Sequence, residues 1–446
     1  MQSKKFSLVV ALTTVALLLS AVNTQAQYTE KVIYAFTGQA DGGFPYSNLI
    51  SDAAGNLYGT TIFGGNSTGN ECGGGGCGVV YELSPASGGG WTEKVIYAFA
   101  GGTDGAEPVG GLTFDGAGNL YGATSFEGST ACVPLNSCGT VFKLTPTSGG
   151  GWTETVIYSF KGGKDGRIPG GNLVFDKSGN LYGTTAAGGG GTSFVCLGDG
   201  CGTVFELTPT SGDGWKETVL HAFTGGKDGA SPAGALVLDA AGNLYGTTGY
   251  GGMIVNRSVN GCLYGCGVVF KLSPATLGWR ESVLHTFTDS NDGAIPWDSG
   301  VIFDAAGNLY GTASISGSGM EGVVFKLTPG SLGGWIEAPI HSFSNTGLLG
   351  GGPTGGLAFD QNGNLYGVTN SGYLGTLWGS VFELKPTSNG WRQSVLYGFP
   401  ELSAGAMPRS SLTLDAAGNL YGTTIMGGAN MQGVVYELSP VAAKTQ

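Results

Sequence analysis

Short apolar runs alternate with glycine-rich turns along the chain, and residues 108–160 contain one complete unit of this pattern. Four runs in the unit are apolar or rich in β-branched and aromatic residues, and each predicts a β-strand. They are residues 111–115, 120–124, 139–145 and 152–160. No window shows apolar residues spaced by three and four positions, as an amphipathic helix requires. The pattern therefore predicts an all-β protein.

The unit recurs seven times, and each copy contains the motif Gly-Asn-Leu-Tyr-Gly. A fixed period of tens of residues sets the fold, and four short strands per period are typical of a propeller blade. We therefore predict a seven-bladed β-propeller with four-stranded blades. The tyrosines that mark the copies are Tyr58, Tyr121, Tyr182, Tyr245, Tyr310, Tyr366 and Tyr421.

The two ends of the repeat region predict how the ring closes. The seventh copy ends after its third strand, near Pro440, whereas residues 28–36 nearly duplicate the fourth strand at residues 91–99. The N-terminal strand is therefore expected to complete the last blade. A linear solenoid is the alternative, but it would need polar capping repeats, which the sequence lacks.

An aspartate stands at the same turn in every copy, three residues before the glycine of the motif, in the pattern Asp-x-x-Gly-Asn. The spacing suits a three-residue hairpin loop with glycine in the left-handed conformation, and the carboxylate can accept backbone N–H bonds there. Seven copies at one turn indicate a structural role. They are Asp52, Asp115, Asp176, Asp239, Asp304, Asp360 and Asp415.

Residues 1–26 have the pattern of a secretory signal peptide, with Lys4 and Lys5 before an apolar run and small residues at 24–26. The run is short for a transmembrane span, although an uncleaved anchor is the rival interpretation. We expect the propeller to occupy residues 27–440 and a short tail to occupy residues 441–446. The predicted location is secreted or periplasmic, without a membrane span after cleavage.

Composition narrows the class of partner. Hydrophobic residues make up 41% of the chain and aromatic residues 11%, which is enough for a core and argues against disorder despite 87 glycines. The net charge is −12, and the sequence has no cluster of basic residues. Nucleic-acid binding needs several basic contacts, so we expect no nucleic-acid partner. A monomer is expected.

The eight cysteines fall in four local pairs, each in the loop between the second and third strands of copies one to four. An even number in local pairs predicts disulfides in an exported chain. Zinc is the rival, but no histidine lies nearby. The pairs are Cys72 with Cys77, Cys132 with Cys138, Cys196 with Cys201, and Cys262 with Cys266.

Histidine and aspartate supply few candidates for metal binding or catalysis. His221, His285 and His341 occupy one fourth-strand position in separate copies, so they are not expected to converge on one metal or one triad. Five aspartates before glycine in the connections between copies are interpreted as turn caps. A weak alternative is a Ca²⁺ site on the same carboxylates; no other cofactor is expected. These aspartates are Asp41, Asp104, Asp165, Asp228 and Asp292.

The fourth-to-first and second-to-third connections of a propeller share one face. Because repeated residues serve the scaffold, a binding site there should use residues that break the repeat, and exposed aromatics suit sugar rings or peptide side chains. Loop aromatics also cover cores, which is the alternative. The candidate ligand-binding residues are Trp297, Trp378, Tyr46, Arg167, Tyr250 and Tyr373. Further residues that break the repeat are Phe44, Phe126 and Phe194. The candidate catalytic carboxylates are Glu107, Glu127 and Asp298.

The unit GNLYGTT–GG–GxVFKLTP–GW–ETVLYxF–GG–DG–P resembles the GloVer tandem repeat of exported bacterial proteins, over essentially all of residues 28–440. The resemblance implies a secreted propeller and brings no activity, so it assigns no functional residue. Two hypotheses follow. The first is an extracellular binding or scaffold module for a glycan or a protein. The alternative is an extracellular polysaccharide hydrolase or lyase that uses the loop carboxylates.

Overall fold

The structure is a computed structural model that describes residues 28–65, 72, 74–129, 132, 138–196, 198–212, 214–252, 262–297, 300–331, 333–344, 351–371 and 378–441. The predicted leader at residues 1–26, and residues 442–446 of the predicted tail, lie outside the described residues. Asp298 and Tyr373 also lie outside them.

Among the described residues there are thirty strands, and the helices are three single 3-10 turns at Gly102–Asp104, Phe194–Cys196 and Leu402–Ala404. In chain order the strands are β1 (Tyr28–Ala35), β2 (Gly43–Pro45), β3 (Ile50–Ser51), β4 (Leu57–Phe63), β5 (Val79–Pro85), β6 (Trp91–Ala98), β7 (Thr113–Phe114), β8 (Leu120–Thr124), β9 (Thr140–Pro146), β10 (Trp152–Ser159), β11 (Arg167–Phe175), β12 (Leu181–Ala187), β13 (Thr203–Pro209), β14 (Trp215–Ala222), β15 (Val237–Leu238), β16 (Leu244–Thr248), β17 (Val268–Ala275), β18 (Gly278–Thr286), β19 (Ile302–Phe303), β20 (Leu309–Ala313), β21 (Met320–Pro329), β22 (Trp335–Ser344), β23 (Pro353–Phe359), β24 (Leu365–Thr369), β25 (Ser380–Thr387), β26 (Gly390–Gly398), β27 (Ala406–Pro408), β28 (Thr413–Leu414), β29 (Leu420–Met426) and β30 (Val434–Pro440).

The strands form seven antiparallel sheets, which are the blades of a seven-bladed β-propeller. Blade 1 contains β2 to β6, with β2 and β3 both pairing with β4. Blades 2 to 6 contain four strands each, from β7 to β10 through to β23 to β26. In blades 1 to 6 the strands follow in sequence order from the innermost to the outermost, and each pairs antiparallel with its neighbour in the blade. The predicted fold is confirmed.

The N-terminal strand closes the ring, as predicted. Strand β1 pairs antiparallel with β30 from Tyr28 opposite Pro440 to Ala35 opposite Val434. Blade 7 therefore consists of β27 to β30 with β1 as its outermost strand. Pairing the first described strand with the last removes an open sheet edge at the junction of the ring.

Aromatic pairs pack each blade on the next. The phenylalanine at or just after the end of each outermost strand meets the ring in the middle of the third strand of the following blade, edge to face, at 5.0–5.2 Å between centroids. The rings are fully buried or nearly so. Burial of such rings supplies most of the energy of a core of this kind. The pairs are Phe36–Tyr81, Phe99–Phe142, Phe160–Phe205, Phe223–Phe270, Phe287–Phe325, Phe343–Phe382 and Phe399–Tyr436.

The repeated motif fixes the turn and the contact between blades together. The Asp115 carboxylate accepts the backbone N–H groups of Ala117 and Asn119 at 2.9 Å, the Asn119 side-chain amide at 2.7 Å and the Tyr121 hydroxyl at 3.1 Å. Tyr121 then packs on Phe175 of blade 3 at 5.0 Å. Burial opposes ionisation of Asp115, but these hydrogen bonds outweigh it and lower its pKa. The structural role predicted for the turn aspartates agrees with these contacts.

Candidate functional site

The two sets of connections lie on one face of the ring, here called the loop face. In blades 1 to 5 and in blade 7, a glycine after the second strand donates its N–H to a carbonyl of the connection that enters the same blade. Examples are Gly65 to Gln39 at 2.7 Å and Gly189 to Gly163 at 2.9 Å. Since these bonds recur around the ring, the fourth-to-first and second-to-third connections form a continuous surface, as predicted.

A central cavity of about 600 Å³ lies on the axis of the ring, lined by the innermost segments of all seven blades. Its wall combines glycine and alanine with leucine, valine and isoleucine. Glycine stands where neighbouring innermost segments approach so closely that a side chain has no room. A Cβ on Gly171, for example, would lie 2.7 Å from the carbonyl oxygen of Gly234 in the next blade. Among the residues that the structure describes, the wall of this cavity contains no carboxylate.

Two asparagines project polar groups into the wall of the central cavity. The Asn48 amide donates to the Asn172 side-chain oxygen at 3.4 Å, which links blades 1 and 3. That same oxygen accepts the N–H of Gly111 at 3.0 Å, and the Asn48 side-chain oxygen accepts the N–H of Ser411 at 2.5 Å. The wall therefore offers amide and hydroxyl groups from blades 1, 3 and 7.

The mouth of the cavity on the loop face is set by a proline in each blade. The residue before the proline has a left-handed backbone, with φ of 56–64°, and its N–H donates to the carbonyl that precedes the third strand of the previous blade. Six of these seven residues are not glycine, so the conformation is strained. The bonds fix the residue after each proline at the mouth: Tyr46, Val109, Gly170, Ala233, Trp297, Thr354 and Arg409.

Tyr46 and Arg409 meet at this mouth across the junction of blades 1 and 7. The Arg409 Nη1 donates to the Tyr46 hydroxyl at 3.1 Å, and the guanidinium carbon lies 5.8 Å from the centre of the Tyr46 ring. Arg409 was not predicted as a site residue. The sequence does contain the signal, because Arg409 follows Pro408 as Tyr46 follows Pro45 and Trp297 follows Pro296.

Trp297 stands at the mouth on blade 5 and is supported from blade 4. Its ring contacts Tyr250 edge to face at 4.7 Å, and Tyr250 contacts Tyr264 at 5.9 Å. Trp297 and Arg409 also line a smaller cavity of about 180 Å³, together with Thr354 and Asn370. Of the predicted ligand-binding residues, Tyr46 and Trp297 thus line the central cavity, and Tyr250 supports Trp297 from behind.

Arg167 and Trp378 lie elsewhere on the loop face. The Arg167 side chain is buried and forms an ion pair with Asp199 at 2.7 Å. It lines a separate cavity of about 480 Å³, here called the rim cavity, with Lys161 and Lys164. Trp378 is 44% exposed and occupies the position that the second half-cystine holds in blades 1 to 4. Neither residue lines the central cavity.

The two described glutamates proposed for catalysis lie in blade 2. Glu107 and Glu127 both have left-handed backbones, with φ of 56° and 59°. Their segments pair, since Ala106 and Phe126 exchange backbone hydrogen bonds at 2.9 and 3.0 Å. Glu107 is half-buried, and this burial raises the pKa of its carboxyl. The third candidate, Asp298, lies outside the described residues.

The five connection aspartates are held by their own turns. Asp104 accepts the Tyr97 hydroxyl at 2.7 Å and the N–H of Ala100 at 2.6 Å. Asp41 and Asp165 make the same contacts with a tyrosine, whereas Asp228 and Asp292 face His221 and His285 at 3.4 and 3.2 Å. These contacts support the role in the turn. Within the described residues, no group of three or more His, Cys, Asp or Glu side chains is arranged to hold a metal.

The predicted cysteine pairs are disulfides. Their Cα atoms are 4.9–5.7 Å apart, within the usual range for such a bond. The carbonyl of the second cysteine accepts the N–H of the left-handed residue of the next blade, as Cys201 does from Ser231 at 2.8 Å. The disulfides therefore lie beside the bonds that fix the cavity mouth.

His341 is half-buried on the outermost strand of blade 5, and desolvation lowers its pKa to about 4.

The described residues include no helix long and apolar enough to cross a membrane. Fold and site together define a repeat propeller with a central cavity lined by small and aliphatic residues and with aromatic residues at its mouth on the loop face. The chain belongs to the family of the Gloeobacter/Verrucomicrobia repeat, whose model matches residues 18–197, 71–299, 137–350 and 253–446. This confirms the resemblance seen in the sequence. No curated protein matches the chain.

Solved structures with a similar fold are distant in sequence. PorZ, an essential surface component of the type-IX secretion system of Porphyromonas gingivalis, is 16% identical, with a TM-score of 0.50 over 92% of this chain and 48% of its own. A luciferin-regenerating enzyme is 14% identical, with a TM-score of 0.45 over 75% of this chain and 91% of its own. A gluconolactonase from Xanthomonas campestris is 15% identical, with a TM-score of 0.35 over 67% of this chain and 78% of its own. At 16% identity, the likeness to PorZ shows a shared fold alone.

Proposed function

We propose that the protein is an extracellular binding module and that its ligand is a glycan held at the mouth of the central cavity. The observation that carries this proposal is the presence of Tyr46 and Trp297 at the mouth of a cavity of about 600 Å³. Ligand sites in proteins are typically concave, of roughly this size, and lined by apolar groups with a few polar ones. Aromatic rings beside amide and hydroxyl groups suit the flat faces and hydroxyls of a sugar.

Export to the extracellular space or the periplasm supports this function. Four disulfides are typical of an oxidising compartment. The leader predicted at residues 1–26 supports the same location. We propose that the mature protein acts as a monomer, since the ligand would enter the axis of a ring that one chain completes.

A binding measurement tests the site. Wild-type protein and three variants, Tyr46→Ala, Trp297→Ala and Trp378→Ala, are applied to a glycan array and to an array of extracellular proteins. We expect a glycan ligand whose binding falls at least ~tenfold in the first two variants, because each loses a contact worth about 1–2 kcal/mol. Trp378→Ala is the matched control, an exposed tryptophan on the same face but outside the cavity, and it should bind as wild type. A protein ligand, or loss of binding only in Trp378→Ala, would count against the proposal.

A polysaccharide hydrolase or lyase is the second candidate function. Burial raises the pKa of the Glu107 carboxyl, which is the direction expected for the general acid of a glycosidase. Turnover of the same glycans is measured with wild type and Glu107→Gln. Product formation that disappears in the variant would favour the enzyme, and turnover at the wild-type rate would remove Glu107 from it.

A further inference from the structure

We propose that the ligand carries a carboxylate and that Arg409 binds it, so that the central cavity recognises an acidic glycan built from uronic acids. This inference rests on the proposed glycan-binding function and specifies its ligand class. It assigns the role of anion-binding residue to Arg409, beside Tyr46 and Trp297 as the aromatic residues of the same site.

Arg409 has hydrogen-bonding capacity that its contacts in the protein leave unused. A guanidinium has five N–H donors, and one of them bonds to the Tyr46 hydroxyl. The Arg409 Nε is buried and has no hydrogen-bond partner. Leaving a buried donor of a charged group without a partner is costly. Arg409 lines both the central cavity and the smaller cavity beside it, so a ligand in either cavity would lie against its side chain.

The charges around Arg409 favour an anion. Among the described residues no carboxylate forms an ion pair with Arg409, and none lines either of the two cavities. The chain nevertheless has 31 acidic and 19 basic residues, so partners for an arginine are plentiful. Arg167, the buried arginine of blade 3, has such a partner in Asp199. Arg409 is held instead by a neutral tyrosine, which leaves its positive charge available to a ligand.

The rest of the mouth favours a sugar acid as the source of the carboxylate. A planar guanidinium can bind a carboxylate through two parallel hydrogen bonds. Tyr46 lies against Arg409, and Trp297 shares both cavities with it. Asn48, Asn172 and Asn370 add amides to the walls. A uronate residue would use all three kinds of group at once, since it joins a carboxylate to a ring that carries hydroxyls. An acidic peptide would also use the guanidinium, but it would not present a rigid ring with several hydroxyls to the aromatic and amide groups.

The test compares acidic sugars with their neutral counterparts by calorimetry. The probes are trisaccharides of galacturonate, mannuronate and glucuronate, each paired with the trisaccharide in which the carboxyl groups are reduced to alcohols. Wild type is compared with Arg409→Gln, Arg409→Lys and Arg392→Gln. The last variant is the matched control, because Arg392 is an exposed arginine on the outermost strand of blade 6 and its loss changes the net charge equally. Thermal melting of each variant shows that it is folded.

We expect at least one uronate trisaccharide to bind wild type and Arg392→Gln equally and Arg409→Gln at least ~tenfold more weakly. Arg409→Lys should bind with intermediate affinity, because an ammonium keeps the charge but not the paired hydrogen bonds. The reduced trisaccharide should bind weakly and should not respond to Arg409→Gln.

Three results would overturn the inference. If the reduced sugar binds as tightly as the acid and Trp297→Ala still abolishes binding, the glycan site stands but Arg409 does not select a carboxylate. If a tetraglutamate peptide or a sulfated trisaccharide binds in an Arg409-dependent way and no uronate does, the ligand class is wrong. If no uronate binds at all, the acidic-glycan assignment fails, while a neutral glycan found on the array would preserve the proposed function.

Discussion

At the scale of single residues, two glycines of the repeated motif serve different needs. Gly242 has a left-handed backbone with φ of 81°, and a Cβ there would meet no atom within 4 Å. Gly246 has an ordinary φ, but a Cβ there would lie 2.7 Å from Cζ of Phe270 and 2.8 Å from Cδ2 of Leu236. Gly242 therefore supplies a conformation, whereas Gly246 supplies space for the aromatic ring that packs the blade on its neighbour.

A double-mutant cycle separates the two needs. Gly242→Ala should lower the free energy of unfolding by about 1–2 kcal/mol, the strain of a left-handed alanine. Gly246→Ala should lower it by about 1–3 kcal/mol through overpacking. Phe270→Leu shortens the opposing ring, so combined with Gly246→Ala it should cost clearly less than the sum of the two changes. Combined with Gly242→Ala it should be additive. Denaturant unfolding measures all five variants, and additivity in both pairs would refute the distinction.

At the scale of elements, the outermost strands carry a row of half-buried acids against the neighbouring blade. Glu154 of β10 lies near Asp104, which belongs to the connection leaving blade 1. Burial first, and then the charge of Asp104, raise the pKa of Glu154 to about 7, and burial also raises the pKa of Asp104. In the same row, one side-chain oxygen of each glutamate is buried without a hydrogen-bond partner, and blade 6 has Gln393 instead. The glutamates are Glu30, Glu93, Glu154, Glu217, Glu281 and Glu337.

This row predicts how stability depends on pH. The folded pKa of Glu154 is raised above its ordinary value of 4.5, so its favourable contribution is present below pH 4.5 and is lost as the pH rises through about 7. Glu154→Gln, which copies Gln393, should therefore raise the melting temperature by about 1–2 °C at pH 8 and change it little at pH 4. Calorimetric melting between these pH values measures the difference. Glu401→Gln, at an exposed glutamate, is the control and should follow the wild-type curve, whereas an equal shift of Glu154→Gln at every pH would disprove the linkage.

The first and last residues of a strand were predictable from the sequence where the local pattern of the chain determines them. Residues 120–124 were predicted as a strand, and β8 has these bounds. The innermost strand was predicted at residues 111–115, but β7 covers only Thr113–Phe114. The N–H of Gly111 donates to the side chain of Asn172 in the next blade instead of to a strand. A bond between two blades, 61 residues apart in sequence, leaves no local pattern from which to predict it.

The candidate site was predictable to a similar extent. Tyr46 and Trp297 were predicted as candidate ligand-binding residues because they differ from the residues at the same positions in the other copies. Arg409 makes the same departure, but its contact with Tyr46 exists only because blades 1 and 7 meet, 363 residues apart along the chain. The sequence also did not show how far Trp378 lies from the axis of the ring. Trp378 shares the loop face with Trp297, but it stands before a third strand, whereas Trp297 stands on the innermost segment of its blade.

At the scale of the whole molecule, the junction of blades 7 and 1 supports both the fold and the site. Strand β1 pairs with β30, and Phe36 after it packs on Tyr81 of blade 1 at 5.0 Å. On the inner side of this junction, Thr423 and Ser411 of blade 7 bond to Ser47 and Asn48 of blade 1. Because Tyr46 and Arg409 face each other there, the mouth of the cavity depends on a closed ring.

Moving β1 from one end of the chain to the other tests this dependence. Deleting residues 27–36 should expose the edge of β30, so the truncated chain should melt at a lower temperature and associate through that edge. In a second variant the same residues follow Pro440 through Ala-Ser-Gly-Gly-Gly, the turn that residues 86–90 form between β5 and β6. This variant restores the pairing with β30, so it should be a monomer with nearly the wild-type melting temperature, although the connection from Phe36 to blade 1 is cut. Light scattering and calorimetry measure both properties.

If the truncated chain stays monomeric and melts as wild type does, closure by β1 does not stabilise the ring. If the second variant does not recover the wild-type melting temperature, the covalent connection from Phe36 to blade 1, and not the pairing of β1 with β30, stabilises the junction.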